Sequence, residues 1–139
     1  MLAIIASAVV SAQNISQKPT VYMETSIKVS QELREDAATL GTLFIILHDA
    51  NSQSRRPFGA VREEISVSPD GDLGTYVLTP ESVQVMAPGG PVPQQFRLKV
   101  RLDRDGQGGP DQPGDIVGEI SGVKYGSSNV VLTLSRKVQ

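Results

Sequence analysis

From Thr20 the chain alternates, with Val21, Met23, Thr25, Ile27 and Val29 at odd positions and Tyr22, Glu24, Ser26, Lys28 and Ser30 at even ones. Tyr22 apart, a period of two marks a strand with one face in a core and the other in water. Gly41 to Ala50 has a different pattern. Its uninterrupted apolar run, Leu43 to Leu47, is bounded by Gly41 and by the polar stretch Asp49 to Ser54, and it reads as a buried strand. Arg56 to Ser66 returns to alternation, with Phe58, Ala60 and Arg62 on one side and Gly59, Val61 and Glu63 on the other. Its leading proline suits the first position of a strand or a sheet edge. The two segments predict a β-hairpin. Between them and the first strand, Gln31 to Leu40 mixes Leu33, Ala37, Ala38 and Leu40 with charges, which predicts a single helical turn or an anchored polar loop.

Further on, Pro69, Asp70 and Gly71 signal a turn, and Leu73 to Thr79 reads as a short strand closed by Pro80. Glu81 to Met86 places Val83 and Val85 on one side. Ala87 to Pro93 holds three prolines and two glycines and predicts a loop. Gln95 to Asp103 is the cleanest alternation, with Phe96, Leu98, Val100 and Leu102 facing one way and Arg97, Lys99 and Arg101 the other. After a turn-rich connection come two more strands, Ile116 to Val123 and Asn129 to Val138. About seven or eight short strands separated by glycine and proline turns, without a convincing helix, predict an all-β fold, an antiparallel β-sandwich.

A chain of 139 residues, 39% hydrophobic, is enough for one core, so residues 13–139 are expected to form a single sandwich domain. Residues 1–12 stand apart. Leu2 to Val10 is an apolar stretch that ends in Val10, Ser11 and Ala12, like the hydrophobic region and cleavage site of a secretory signal, although no basic residues precede it. It is too short to span a bilayer. An exported, periplasmic protein with a mature chain starting near Gln13 is the expectation, with no membrane span.

The net charge of −2 supplies no basic field for phosphates, so nucleic acid is not an expected partner. The absence of cysteine excludes disulfides, thiolate metal sites, thioether haem attachment and cysteine nucleophiles. His48 is the only histidine, and its spacing brings no partner for triad or metal chemistry. No serine sits in a nucleophile-elbow setting. The expectation is a protein that is not an enzyme, with no catalytic residue and no cofactor.

Asp103, Asp105, Asp111 and Asp115, interleaved with glycines, offer hard oxygen ligands of the kind calcium takes, but glycine follows the second aspartate and no glutamate closes the loop as in an EF-hand. A solvated turn is the commoner use of that composition, so no metal site is assigned and a calcium- or carbohydrate-binding β-domain is the alternative. An aromatic content of 4% and no tryptophan count against sugar stacking. The basic stripe Arg97, Lys99 and Arg101, with Arg104 further on and Arg55, Arg56 and Arg62 flanking the hairpin, reads either as a solvated strand face or as a surface for a partner with carboxylates. Met86, with Pro88 and Gly89, offers an adaptable apolar contact on a loop. Met86, Pro88, Gly89, Arg97, Lys99 and Arg101 are the candidate partner-binding positions.

Several of these segments also carry a family resemblance. Leu43, Phe44 and Ile45, followed after a polar loop by Pro57, Phe58, Gly59, Ala60, Val61 and Arg62, resemble a strand pair of the C-terminal periplasmic domain of the CcmI/CycH family of cytochrome c maturation (biogenesis) proteins. Tyr76 to Thr79 with Met86, Ala87, Pro88 and Gly89, then Val100 to Gly106, then Gln112 to Gly118, resemble later family motifs in the same order. The likeness runs from about Thr25 to Lys137. It departs from the family at Leu47 and His48, where the family has Ala-Arg, and the family's TPR repeats and membrane segments have no counterpart in these residues. The resemblance implies a non-catalytic β-sandwich that handles apocytochrome c for haem ligation. Another protein or peptide as partner, or a structural accessory role in an envelope assembly, is the broader expectation.

Overall fold

The computed structural model describes residues 20–139. The expected signal segment, residues 1–12, and the domain start at Gln13 lie outside the described residues. The described residues form an all-β fold, with nine strands in two facing sheets. They are β1 (Met23–Val29), β2 (Thr42–Asp49), β3 (Gly59–Glu64), β4 (Asp72–Leu78), β5 (Gln84–Val85), β6 (Gln95–Asp103), β7 (Ile116–Lys124), β8 (Ser127–Leu134) and β9 (Arg136–Lys137). The smaller sheet has the order β4-β1-β8 and the larger β5-β3-β2-β6-β7-β9. Between β1 and β2 lie a 3₁₀ turn, Gln31–Leu33, and one helical turn, α1 (Arg34–Ala37), anchored by buried Ala37 and Leu40.

Each sheet turns one set of alternating side chains inward. Met23, Ile27 and Val29 of β1 meet Leu43, Ile45 and Leu47 of β2 and Phe96, Leu98, Val100 and Leu102 of β6 in a single core cluster. Tyr22, set apart from the alternation by its even position, is buried as well, with its ring 5.4 Å from Phe58 and 5.9 Å from Phe96. These aromatic contacts close one end of the sandwich.

Two features differ from the sequence expectation. Every strand pair is antiparallel except β1 and β8, which run parallel. Alternation reports which face a residue occupies and carries no information on strand direction. The expected last strand, Asn129 to Val138, divides at Ser135, so that β8 pairs with β1 in the small sheet and β9 pairs with β7 in the large one. The chain end therefore ties the two sheets together. The seam is tight at Gly118 of β7, where a Cβ would lie 2.7 Å from the Thr133 carbonyl oxygen.

Two substitutions measure these constraints by denaturant unfolding. Leu98→Ala is expected to cost about 2–5 kcal/mol through lost burial and the cavity it leaves. Gly118→Ala is expected to cost about 1–3 kcal/mol, because the methyl meets backbone on the neighbouring strand. A Gly118→Ala protein as stable as the parent would show that the seam is looser than described.

Candidate functional site

The same alternation that fills the core sends a second set of side chains to the outer face of the larger sheet. Register places Arg62, Phe44, Arg101 and Val117 in one row across β3, β2, β6 and β7, and Ala60, Ile46, Lys99 and Glu119 in the next. His48 and Arg97 begin a third row. Two of the apolar residues in the Leu43 to Leu47 run, Phe44 and Ile46, therefore point away from the core.

Phe44 is nonetheless only 9% exposed. It is covered by the Arg101 guanidinium, 4.8 Å from the ring centroid, and flanked by that of Arg62 at 6.0 Å. A flat guanidinium is suited to this position, since the ring face is electron-rich and the cation is weakly hydrated. The run thus reads as doubly buried because a cation, rather than a second hydrophobic layer, covers its outer side.

Arg101 itself is 3% exposed, with its charge enclosed by the 104–115 connection, which folds back over the sheet. Nη1 donates to the Gly109 carbonyl at 2.8 Å and to Asp111 Oδ1 at 3.2 Å, and Nη2 donates to the Gln107 carbonyl at 3.3 Å. Asp103 lies 3.5 Å from Nη2, and Asp115 lies 3.8 Å from Nε as an ion pair too long for a hydrogen bond. Asp115 also accepts the backbone N–H groups of Arg104 and Gln112 at 3.1 and 2.8 Å, and Asp105 accepts that of Gln107 at 2.9 Å. Lys99 Nζ reaches the other oxygen of Asp111 at 2.9 Å.

The four aspartates named from sequence are therefore committed to the chain's own cations and amides. Among the described residues, no group of three or more acidic or imidazole side chains is arranged to hold a metal ion.

The electrostatics follow from this enclosure. Burial pushes the Asp111 carboxyl up, but hydrogen bonds and charge from Lys99 and Arg101 outweigh burial and hold it below the usual carboxylate range. Asp103 is raised, by burial first and also by the Asp115 carboxylate, against the pull of the Asp105 amide and Arg101. His48 is lowered, by burial first and then by Arg97, with Glu119 opposing. Its Nδ1 is buried without a hydrogen-bond partner, and among the described residues no side chain is hydrogen-bonded to it as a triad would require.

Loop and sheet enclose a trough of about 700 Å³ on the outer face. Phe44, Ile46, Ala60 and Met86 supply apolar surface, Gly109 and Pro110 one wall, and Arg55 and Pro57 a rim. A smaller hollow of about 210 Å³ adjoins it and shares Pro57 and Met86.

Of the candidate positions, Met86 and Lys99 line the trough, with Met86 37% exposed. Arg101 also borders it, but its guanidinium is enclosed by the loop rather than displayed on a solvated face. Arg97 lies on the same face, paired with Glu119 at 2.8 Å. Pro88 and Gly89 are exposed on their loop and line neither hollow. Arg55, one of the arginines read from sequence as flanking the hairpin, lines the trough as well, whereas Ile46, Ala60 and Pro57 were not singled out from sequence as site residues. The even-numbered positions of β2, read together with the Arg97-Lys99-Arg101 side of β6, were the available signal.

No protein-family model matches this chain, and no curated protein or solved structure matches it.

The loop can be tested in two ways. Asp111→Asn is expected to lower stability at neutral pH by about 1.5–3 kcal/mol, the range for hydrogen bonds to charged groups. A carboxyl whose folded-state pKa is depressed stabilises above its unfolded value and loses that contribution as pH falls through the folded one. The gap between the two proteins should therefore close below about pH 4 in unfolding curves, and a gap independent of pH would remove Asp111 from this role. Separately, thermal melts in millimolar calcium and in chelator should coincide, because a cation specific for the folded state would raise the midpoint. A calcium-dependent rise would show that the aspartates are available after all.

Proposed function

We propose that this chain is an exported, non-catalytic binding domain that holds a segment of another polypeptide in the trough on the outer face of its larger sheet. The observation that carries the reading is the apolar floor of Ile46, Ala60 and Met86, bounded by charged and polar rims, on the face opposite the core. Apolar surface of this kind, set among polar rims, is where partners dock. The trough has the form of a small-ligand or side-chain pocket, and its continuation past Pro57 and Met86 gives room for more than one residue of an extended chain.

For the partner, the ordered resemblance to the CcmI/CycH domain points to apocytochrome c, and a periplasmic location accompanies it. Several of the residues that carry the resemblance, Phe44, Pro57, Ala60 and Met86, are also trough residues.

Methyl-labelled protein titrated with apocytochrome peptides, one carrying the haem-attachment motif and one the C-terminal helix, tests this proposal. Binding is expected to shift the Ile46, Ala60 and Met86 methyl signals, and Ile46→Asp is expected to abolish it. No shift at high micromolar peptide, or shifts confined to the smaller sheet, would overturn it.

A further inference from the structure

We infer that the segment held in the trough carries a carboxylate close to its apolar anchor, and that Arg55 receives this group. The inference rests on the reading of the trough as a polypeptide site and specifies the chemistry of the occupant.

The argument is one of charge balance around the trough. Lys99 is neutralised by Asp111 at 2.9 Å. Arg101 is matched by Asp103, Asp111 and Asp115. Arg97, on the same face, is matched by Glu119. Among the described residues, Arg55 is the lining cation with no carboxylate within 4.0 Å. Its neighbour Arg56, exposed on the same rim, is likewise without one. Asp49, the acidic residue of that loop, caps the loop by accepting the Asn51 N–H at 2.9 Å.

The charge lining the trough is therefore uneven. Lys99 and Arg101 are paired with the lining carboxylate Asp111, whereas the Arg55 guanidinium lines the same trough without a carboxylate partner. An extended chain advances about 3.3 Å per residue and places alternate side chains on one face about 6.6 Å apart. Because Ile46, Ala60 and Arg55 line the same trough, an apolar side chain seated on Ile46 and Ala60 leaves its neighbours in the bound chain to meet Arg55. A carboxylate there gains a charge-assisted partner, whereas a lysine would meet a like charge.

Three peptides of equal length test the inference, each with a central leucine flanked by glutamate, glutamine or lysine, followed through the trough methyl signals at low ionic strength. The glutamate peptide is expected to bind about two- to fivefold more tightly than the glutamine one, the range for an exposed ion pair. The lysine peptide is expected to be weakest. Arg55→Glu, on an exposed loop, should invert the order of glutamate and lysine while leaving the melting temperature unchanged. Equal affinity for glutamate and glutamine would overturn this inference and leave the binding role standing. No shift with any of the three peptides would overturn both. Trough shifts that depend on protein concentration without peptide would assign the face to a second copy of the chain, and would overturn the inference as well.

Discussion

A guanidinium taken out of water needs its hydrogen bonds and its charge satisfied in the place where it is buried, and at Arg101 that requirement organises one whole face of the molecule. The side chain lies against Phe44 and is met by the carbonyls of Gln107 and Gly109 and by Asp103, Asp111 and Asp115. Leaving a buried charge without partners costs about 3–5 kcal/mol, which is enough to make a glycine-rich connection adopt one path over the sheet. Because that path is set, the loop becomes a wall and the sheet surface beside it becomes a trough. The cation stands among the aspartates much as a bound metal ion would, supplied by the chain itself.

The sandwich behind this face is what makes the arrangement possible. β2 and β6 are adjacent and in register, so Phe44 faces Arg101 while Ile45 faces Val100 on the opposite side. A slip of one residue would exchange the two sets, putting arginines into the core and leucines into solvent. The inward residues Leu98, Val100 and Leu102 thus hold the outward Lys99 and Arg101 in place. The crossing of the chain from β8 to β9 links the two layers at the far edge, where Val138 donates to the Asp115 carbonyl and Gly114 to that of Val138. One end of the aspartate loop is thereby tied to the last strand.

Much of this was legible in the chain. β6 runs over the residues its alternation predicted, Gln95 to Asp103, and its two faces divide as read. β1, β4 and β7 differ from expectation by a residue or two at their ends, where hydrogen bonding rather than side-chain pattern decides. The helical turn at Arg34–Ala37 is anchored by Ala37, with Leu40 just beyond it, as the spacing suggested. The site was less legible. Met86 and Lys99 were singled out, and Arg55 was among the arginines noted beside the hairpin, but Ile46 and Ala60 were not, because nothing local distinguishes an outward apolar residue from one facing a core. The basic stripe was read as one class of residue, yet its three members end in different environments: Arg97 and Lys99 partly open, Arg101 enclosed.

What the sequence determined by itself is the alternation of faces and the positions of the turns, since both follow from backbone geometry and from residues only a few positions apart. Tertiary structure alone decided three matters: that β1 and β8 run parallel, that the last strand divides between the sheets, and that the aspartate loop closes on Arg101. Each depends on groups far apart in the chain meeting in space. Burial then selects among alternatives that local pattern leaves equal, by the cost of an unpaired charge or an open strand edge.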